Sequence, residues 1–221
     1  MSAPALERPL YLISDGGRLR ASGTLVRRIS DVIVAARGLV GFIQIRELGD
    51  SALGIPPACD AEILEIVNHL QPIAAESGAK ILLNSAFALV SDGVGDGIHV
   101  RGDLAEVQRA KSEIERNAVV GYSAHSVEEV VAAEAAGADY VLLAPIFAPL
   151  SKIHHRSPLG LPALRTAAAA TNIPLFALGG VTPQSASECR AAGASGIAAI
   201  SSLLTAESAD ALAHAWFTAP R

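Results

Sequence analysis

Short runs of hydrophobic residues alternate along the chain with longer stretches in which apolar positions recur every three or four residues. Runs of the first kind are typical of buried strands, and stretches of the second kind are typical of helices that cover a sheet. The predicted strands are Leu10 to Ile13, Gly41 to Ile45, Lys80 to Leu83, Gly97 to His99, Val119 to Tyr122, Tyr140 to Leu143, Leu175 to Leu178 and Gly196 to Ile200. The predicted helices are Thr24 to Ala36, Asp60 to Ser77, Leu104 to Arg116, Val127 to Ala136, Leu161 to Ala170, Pro183 to Ala192 and Ala206 to Phe217.

The junction between helix and strand is repeated three times. Gly78, Gly137 and Gly193 each follow a predicted helix and stand shortly before the next strand. A glycine just past a helix end can adopt the left-handed conformation that turns the chain into the following strand. The repeat indicates an array of similar βα units.

Such an array in 221 residues predicts an α/β fold, a single (β/α)8 TIM barrel over residues 1–221, with residues 1–9 as a loose N-terminal extension. The alternative is a doubly wound open sheet. The first strand, however, is followed by Ser-Asp-Gly-Gly-Arg, which lacks the G-x-G-x-x-G pattern of dinucleotide-binding folds. We therefore expect the barrel.

The charge balance narrows the range of partners. The chain has 17 Lys and Arg against 22 Asp and Glu, a net charge of -5, which argues against a nucleic-acid-binding protein. No apolar run reaches the roughly 18 residues of a membrane span, and Met1 to Pro9 lacks the apolar core of a signal peptide. We expect a cytoplasmic protein that acts on small molecules, with no nucleic-acid or membrane partner.

Polar residues at the ends of the predicted strands are candidates for the site, because TIM barrels carry their chemistry there. Alternation places Gln44 and Arg46 on one face, where Arg46 could bind an anion or pair with an acidic neighbour. Asp103 could cap the helix that starts at Leu104. His125 directly follows a strand and could transfer protons or serve only in the structure.

The strongest local signal follows the last two strands. Gly179-Gly180 and Ser201-Ser202 precede helices, so that their amides and hydroxyls could bind the phosphate of a small-molecule substrate. The alternative is a glycine pair that merely fits a tight corner. The long segment from Ala144 to Gly160 is typical of a functional loop on a barrel.

A set of motifs in a characteristic order resembles the thiamine phosphate synthase family, which includes the thiazole tautomerases. The resemblance covers roughly Leu10 to Leu204. The motifs are Leu10-Tyr11-Leu12-Ile13-Ser14-Asp15, Gln44-Ile45-Arg46-Glu47, Asp96-Gly97-Ile98-His99, Gly121-Tyr122-Ser123-Ala124-His125-Ser126, Gly137-Ala138-Asp139-Tyr140-Val141, Pro145-Ile146-Phe147 with Ser151-Lys152, and Gly179-Gly180-Val181.

The resemblance implies an enzyme that joins hydroxymethylpyrimidine diphosphate to hydroxyethylthiazole phosphate, with Mg²⁺ helping pyrophosphate to leave. The implied ligands of the pyrimidine and its diphosphate are Gln44, Arg46, Asn84, Ser123 and Lys152. The implied ligands of the thiazole phosphate are Ser151, Gly179, Gly180, Ser201 and Ser202. Of these, Ser123 and Lys152 are implied to be catalytic, as is His125 in the tautomerase branch. Related barrels often form homodimers.

The sequence also departs from the family pattern. Leu48 replaces a lysine of the Gln-Leu-Arg-Glu-Lys motif, Ser85 replaces a carboxylate expected to bind Mg²⁺, and Pro149 replaces a threonine. Asp103 matches the other metal-binding aspartate only if one residue is deleted after Gly102. Three functions stay open: the synthase, a thiazole tautomerase that uses His125 as acid and base, and a non-catalytic protein that binds a phosphorylated metabolite.

Overall fold

The computed structural model describes residues 5–14, 17–36, 38–114, 117–148, 157–200 and 206–218. Its parallel strands form a closed barrel in which each strand pairs with the next and β8 pairs with β1. The strands are β1 Leu10–Ile13, β2 Val40–Ile45, β3 Lys80–Asn84, β4 Gly97–Arg101, β5 Val119–Ala124, β6 Tyr140–Leu143, β7 Leu175–Leu178 and β8 Gly196–Ala199. The predicted (β/α)8 barrel is confirmed.

Helices lie in the connections between strands and cover the outside of the barrel. They are α1 Arg18–Ala21, α2 Leu25–Ala35, α3 Asp60–Ser77, α4 Phe87–Ser91, α5 Ala105–Glu113, α6 Val127–Ala135, α7 Gly160–Ala170, α8 Pro183–Ala191 and α9 Ala206–Thr218. The junction glycines Gly78, Gly137 and Gly193 all have positive φ, as their position after a helix predicts. None of the described helices is long and apolar enough to cross a bilayer.

Alternation along the strands divides the core into two layers. Side chains such as Leu12, Ile43 and Ile81 point outwards and pack against the helices. Side chains on the other face fill the inside of the barrel, where the rings of Tyr11, Phe42, Tyr140 and Phe176 are fully buried. Neighbouring ring centroids in this inner group lie 5.1 to 6.1 Å apart. These rings form a floor beneath the ends of the strands.

Two inward-facing glycines make room for the rings. A Cβ atom built on Gly121 would overlap the ring of Tyr140, and one built on Gly196 would lie 2.6 Å from a ring carbon of Phe176. Each of these two large side chains therefore reaches the barrel axis because the strand next to its own has a glycine there.

The N-terminal segment differs from the prediction over residues 5–9. Ala5–Glu7 form one turn of 3-10 helix, and Arg8 is only 3% exposed. The Arg8 guanidinium donates to the carbonyl oxygens of Val40, at 3.3 Å, and Ser77, at 2.6 Å. The predicted loose extension is wrong for this part of the chain, because these bonds hold it against the bottom of the barrel.

Strands β4 and β5 both run two residues beyond their predicted ends. Arg101 pairs with Ser123 in the ladder between them. The hydrophobic pattern stops before these polar residues, although the backbone ladder continues. The extension carries two polar side chains to the open end of the barrel.

Candidate active site

Polar side chains from four neighbouring strands converge at the carboxyl-terminal end of the barrel. Arg46 follows β2, Asn84 ends β3, Arg101 ends β4 and Ser123 lies near the end of β5. Asn84 pairs in register with His99, two residues before Arg101, and Arg101 pairs with Ser123. Three of these four residues were predicted from the sequence as ligands of the pyrimidine or its diphosphate, and Arg101 was not.

A chain of hydrogen bonds begins at Asn84 and enters the barrel. The Gln44 amide donates to Asn84 Oδ1 at 2.9 Å, and its oxygen accepts from the Tyr11 hydroxyl at 3.1 Å. Because the hydrogen of Tyr11 is used in this way, its oxygen accepts from the Tyr140 hydroxyl, 2.8 Å away. Gln44 is buried, and both the nitrogen and the oxygen of its side-chain amide are hydrogen-bonded.

The same chain continues to the other side of the barrel through His99. Nδ1 of His99 lies 2.8 Å from the Tyr140 hydroxyl, and Nε2 lies 2.7 Å from Oγ of Ser123. Tyr140 donates to Tyr11, so His99 carries its proton on Nδ1 and donates to Tyr140. Nε2 then accepts the hydrogen of Ser123, which leaves the oxygen lone pairs of Ser123 free to face the site.

The buried chain is uncharged. Burial, followed by the positive charges of Arg101 and Arg46, lowers the pKa of His99 to about 3. Burial also raises the pKa of Tyr11 and of Tyr140 above the usual range. Neither His99 nor the tyrosines change protonation near neutral pH, so the direction of the hydrogen bonds is constant there.

Arg46 and Arg101 concentrate positive charge at the rim. Arg46 is half-buried, and its backbone amide donates to Ser14 Oγ at 2.7 Å. Burial and then the charge of Arg101 lower the pKa of Arg46. Among the described residues, neither guanidinium lies within 4 Å of a carboxylate. In this part of the chain Arg46 therefore forms no direct ion pair with an acidic neighbour, although the charge of nearby Glu47 opposes the lowering of its pKa.

His125 lies at the same rim, between β5 and β6. Its Nδ1 donates to the carbonyl oxygen of Ala144 at 2.7 Å, which leaves Nε2 as the acceptor of the neutral ring. Its backbone amide donates to the Glu129 carboxylate at 2.7 Å, and Ser126 caps α6 by accepting from the Glu129 amide at 3.2 Å. The helix start thus orients a half-buried imidazole whose Nε2 has no hydrogen-bond partner among the described residues.

The Gly179-Gly180 turn follows β7 and contacts the segment after β6. Both glycines have positive φ, 93° and 63°. A Cβ on Gly179 would lie 2.8 Å from Cβ of Pro145, and one on Gly180 would overlap the carbonyl oxygen of Ala148. The Phe147 amide donates to the Gly179 carbonyl at 3.0 Å. Close packing at this corner therefore requires glycine whether or not a phosphate binds.

The turn also lies next to the last strand of the barrel. β7 is the neighbour of β8 in the barrel, with Leu178 opposite Ala198, so the turn lies beside the end of β8. Ser201, Ser202, Ser151 and Lys152 lie outside the described residues, and their predicted roles stay predictions. Gly179 and Gly180 lie on the rim that also carries Arg46 and His125.

Comparison with known proteins agrees with this arrangement. A family model described as thiamine monophosphate synthase matches residues 10–203. The chain belongs to this family.

Relatives of this family cover most of the chain. The chain is 35% identical over 182 residues to thiamine-phosphate synthase of Chlorobium luteolum, and the match covers 81% of each chain. It is also 35% identical over 197 residues to thiamine-phosphate synthase of Geobacillus kaustophilus, covering 88% of this chain and 86% of that one. Among solved structures, thiamine phosphate pyrophosphorylase from Pyrococcus furiosus has a TM-score of 0.77 at 25% identity and covers 96% of both chains.

The position implied by the family for Mg²⁺ has few suitable ligands. Asp103 is exposed, and its carboxylate accepts from the amide of Ala105, the first residue of α5, at 2.8 Å. Ser85, at the end of β3, offers a hydroxyl where the family pattern has a carboxylate. Among the described residues, no three His, Cys, Asp or Glu side chains form a group that could hold a metal. These donors do not fit a magnesium site, which requires several oxygen ligands.

Proposed function

We propose that the protein is a thiamine phosphate synthase, a transferase that joins hydroxymethylpyrimidine diphosphate to hydroxyethylthiazole phosphate with loss of pyrophosphate. The main support is the convergence of Arg46, Asn84 and Ser123 above the aromatic floor, on the rim that also carries the Gly179-Gly180 turn. Family membership over residues 10–203 supports the same reaction class.

The reaction requires one bond to break and one to form. The bond from the pyrimidine methylene carbon to the diphosphate oxygen breaks, and its electron pair leaves with pyrophosphate. The thiazole nitrogen then gives its lone pair to the methylene carbocation and forms the new carbon–nitrogen bond. No proton is transferred in these two steps, so the task of the protein is to bind, to orient and to stabilise charge.

Each side of the rim suits one part of this task. Arg46 provides a guanidinium whose paired donors match a phosphate oxygen pair, and it stabilises the charge that develops on the leaving pyrophosphate. Asn84, whose Oδ1 is held by Gln44, is left with amide hydrogens for the pyrimidine. The Ser123 oxygen, whose hydrogen is donated to His99, can accept from the pyrimidine amino group.

The thiazole phosphate is assigned to the opposite side of the rim. Amides of Gly179 and Gly180 can approach an oxygen dianion closely, because no side chain stands in the way. Ser201 and Ser202 would complete this group from the end of β8, and Ser151 and Lys152 would approach from the segment after β6. Mg²⁺ would add charge neutralisation for the diphosphate when bound, as the family pattern implies, although the described residues do not fit it.

Coupling of purified substrates tests the proposal. The protein is mixed with the two substrates at several Mg²⁺ concentrations, and thiamine phosphate and pyrophosphate are measured together. We expect equal amounts of both products, and a large loss in Arg46→Gln. Binding of both substrates without any product at any Mg²⁺ concentration would contradict a synthase.

A thiazole tautomerase is the second candidate, because Ala144 holds the His125 ring and Nε2 has no partner among the described residues. That nitrogen could remove a proton from a thiazole phosphate and return it to another carbon, with no diphosphate involved. The matching test supplies carboxythiazole phosphate to the wild type and to His125→Asn. Isomerisation that disappears in His125→Asn, in a protein that makes no thiamine phosphate, would favour this candidate. Binding of the phosphate without either reaction would indicate a binding protein.

A further inference from the structure

Arg101 extends the inward-facing row of β4 to the rim. Alternation places it on the same face as His99, whose ring is buried inside the barrel between Tyr140 and Ser123. Ile98, which precedes His99, and Val100, which lies between His99 and Arg101, pack in the outer layer of the core. Arg101 therefore faces the site, although its side chain is exposed to solvent.

Two positive charges consequently share one rim, and in the described part of the chain neither has a carboxylate within 4 Å. Arg46 and Arg101 act electrostatically on each other and on His99. The acidic neighbours have closer partners: Glu47, whose charge also acts on Arg46, lies 3.5 Å from the Arg20 guanidinium, and Asp103 accepts from the Ala105 amide. Like charges held together in this way repel, and a bound anion relieves the repulsion.

The pair has the form that a diphosphate requires. A diphosphate carries two phosphoryl groups, each of which accepts paired hydrogen bonds from one guanidinium. Arg46 approaches from β2 and Arg101 from β4, on either side of Asn84 at the end of β3. The single strand β3 therefore separates the two cations, so that one polyanion could bind between them.

We propose that Arg101 is a second ligand of the diphosphate, working with Arg46, and that this pair binds pyrophosphate without a divalent cation. The proposal rests on the proposed function, since it assigns a further residue to the leaving-group side of the same site. It also explains how a rim with too few carboxylates for Mg²⁺ can bind a highly charged leaving group, because the arginine side chains supply the positive charge directly.

Titration calorimetry with sodium pyrophosphate in a buffer containing EDTA tests the pair. The variants are Arg101→Gln, Arg101→Lys and Arg46→Gln, with Arg28→Gln as the matched control, an exposed arginine on the outside of α2. We expect the affinity for pyrophosphate to fall by about tenfold or more in Arg101→Gln and in Arg46→Gln. Arg101→Lys should recover part of the loss, and Arg28→Gln should bind like the wild type.

A second probe separates this site from the thiazole side. Hydroxyethylthiazole phosphate should bind to Arg101→Gln with the affinity of the wild type, because its phosphate is assigned to the turn after β7. Wild-type affinity for pyrophosphate in Arg101→Gln would overturn the proposal, as would a wild type that binds no pyrophosphate in EDTA. An equal loss of both ligands in Arg101→Gln would also overturn it, since it would indicate general damage.

Failure of the inference and failure of the proposed function are distinguishable. Thiamine phosphate formed at an unchanged rate, with unchanged pyrophosphate affinity, in Arg101→Gln would reject the role of Arg101 and keep the synthase. Pyrophosphate binding that depends on Arg46 and Arg101 in a protein that couples no substrates would keep the anion site and reject the synthase.

Discussion

Nε2 of His99 lies 2.7 Å from Oγ of Ser123, so a ring buried beneath the site determines the direction in which a hydroxyl in the site is bonded. The ring in turn takes its tautomer from Tyr140 on the axis of the barrel. This relationship joins the interior packing to the chemistry at the rim, and it makes the buried residues testable.

The tautomer of His99 is the first prediction. We expect the proton on Nδ1, because Tyr140 donates its hydrogen to Tyr11 and can only accept from His99. Nitrogen-15 NMR of histidine-labelled protein at neutral pH should show a neutral Nδ1–H ring that disappears from the spectrum of His99→Gln. A His99 signal with the proton on Nε2 would mean that the chain runs in the opposite direction.

His99 should also make the protein sensitive to acid. Its pKa is lowered to about 3 in the fold from an ordinary value of 6.5, so the unfolded chain binds the additional proton first. The stabilising contribution is complete above about pH 6.5 and is lost as the pH falls towards 3, by on the order of 3 kcal/mol between pH 7 and pH 4.

Urea unfolding of the wild type, His99→Gln and His99→Asn at several pH values measures this contribution. The fall in the free energy of unfolding from pH 7 to pH 4 should be smaller in both variants than in the wild type. If the free energy of unfolding fell equally with pH in all three proteins, His99 would not be the group that titrates.

Removing a hydroxyl from the barrel axis should lower the free energy of unfolding. Tyr140→Phe leaves Nδ1–H of His99 and a lone pair of Tyr11 without their partner, at a cost of about 1–3 kcal/mol each. Because Tyr11 and Tyr140 share one bond, the effects of Tyr11→Phe and Tyr140→Phe on the free energy of unfolding should be non-additive in the double variant. Additive losses would argue against a connected chain.

Ser123→Ala should slow the chemical step more than it weakens substrate binding. The change removes the oxygen that faces the pyrimidine and leaves Nε2 of His99 without its donor. We expect the single-turnover coupling rate to fall by about tenfold or more, with a change in the free energy of unfolding of only about 1 kcal/mol. A fall in stability large enough to unfold the protein, or an unchanged rate, would count against this role.

Gly180→Ala should affect the thiazole side through both its conformation and its close contacts. Gly180 has φ 63°, and an added Cβ would lie 2.8 Å from Cβ of Phe147 and overlap the Ala148 carbonyl. Gly23 is the matched control, because it has φ 68° and an added Cβ would contact nothing within 4 Å. Gly23→Ala should cost only the left-handed conformation, about 1–2 kcal/mol.

Calorimetry with thiazole phosphate and thermal unfolding distinguish the two effects. Gly180→Ala should lose more stability than Gly23→Ala and should bind thiazole phosphate more weakly, whereas Gly23→Ala keeps the wild-type affinity. Equal behaviour of the two variants would show that the turn is only a corner of the fold.

The fold could be predicted because its strands are short apolar runs separated by helices, and each run matches an observed strand. The ends of β4 and β5 could not, because Arg101 and Ser123 interrupt the hydrophobic pattern while their backbone continues the ladder. Residues 5–9 look polar and unstructured in the sequence, yet Arg8 is buried through bonds to carbonyl oxygens that are distant along the chain.

The site divides in a similar way. Gln44, Arg46, Asn84, Ser123 and His125 were predicted from motifs, and the structure places them at one end of the barrel. His99 was not given a role, because a histidine among apolar residues says nothing of its partners Tyr140 and Ser123 on other strands. The cytoplasmic location and the homodimer stay predictions.

The filled interior of the barrel affects how substrates enter the site and how products leave it. Rings from β1, β2, β6 and β7 fill the axis of the barrel, so we expect both substrates to arrive and both products to depart through the same mouth. Retained pyrophosphate would then block the next round of entry, and the rate of its escape would set an upper limit on turnover.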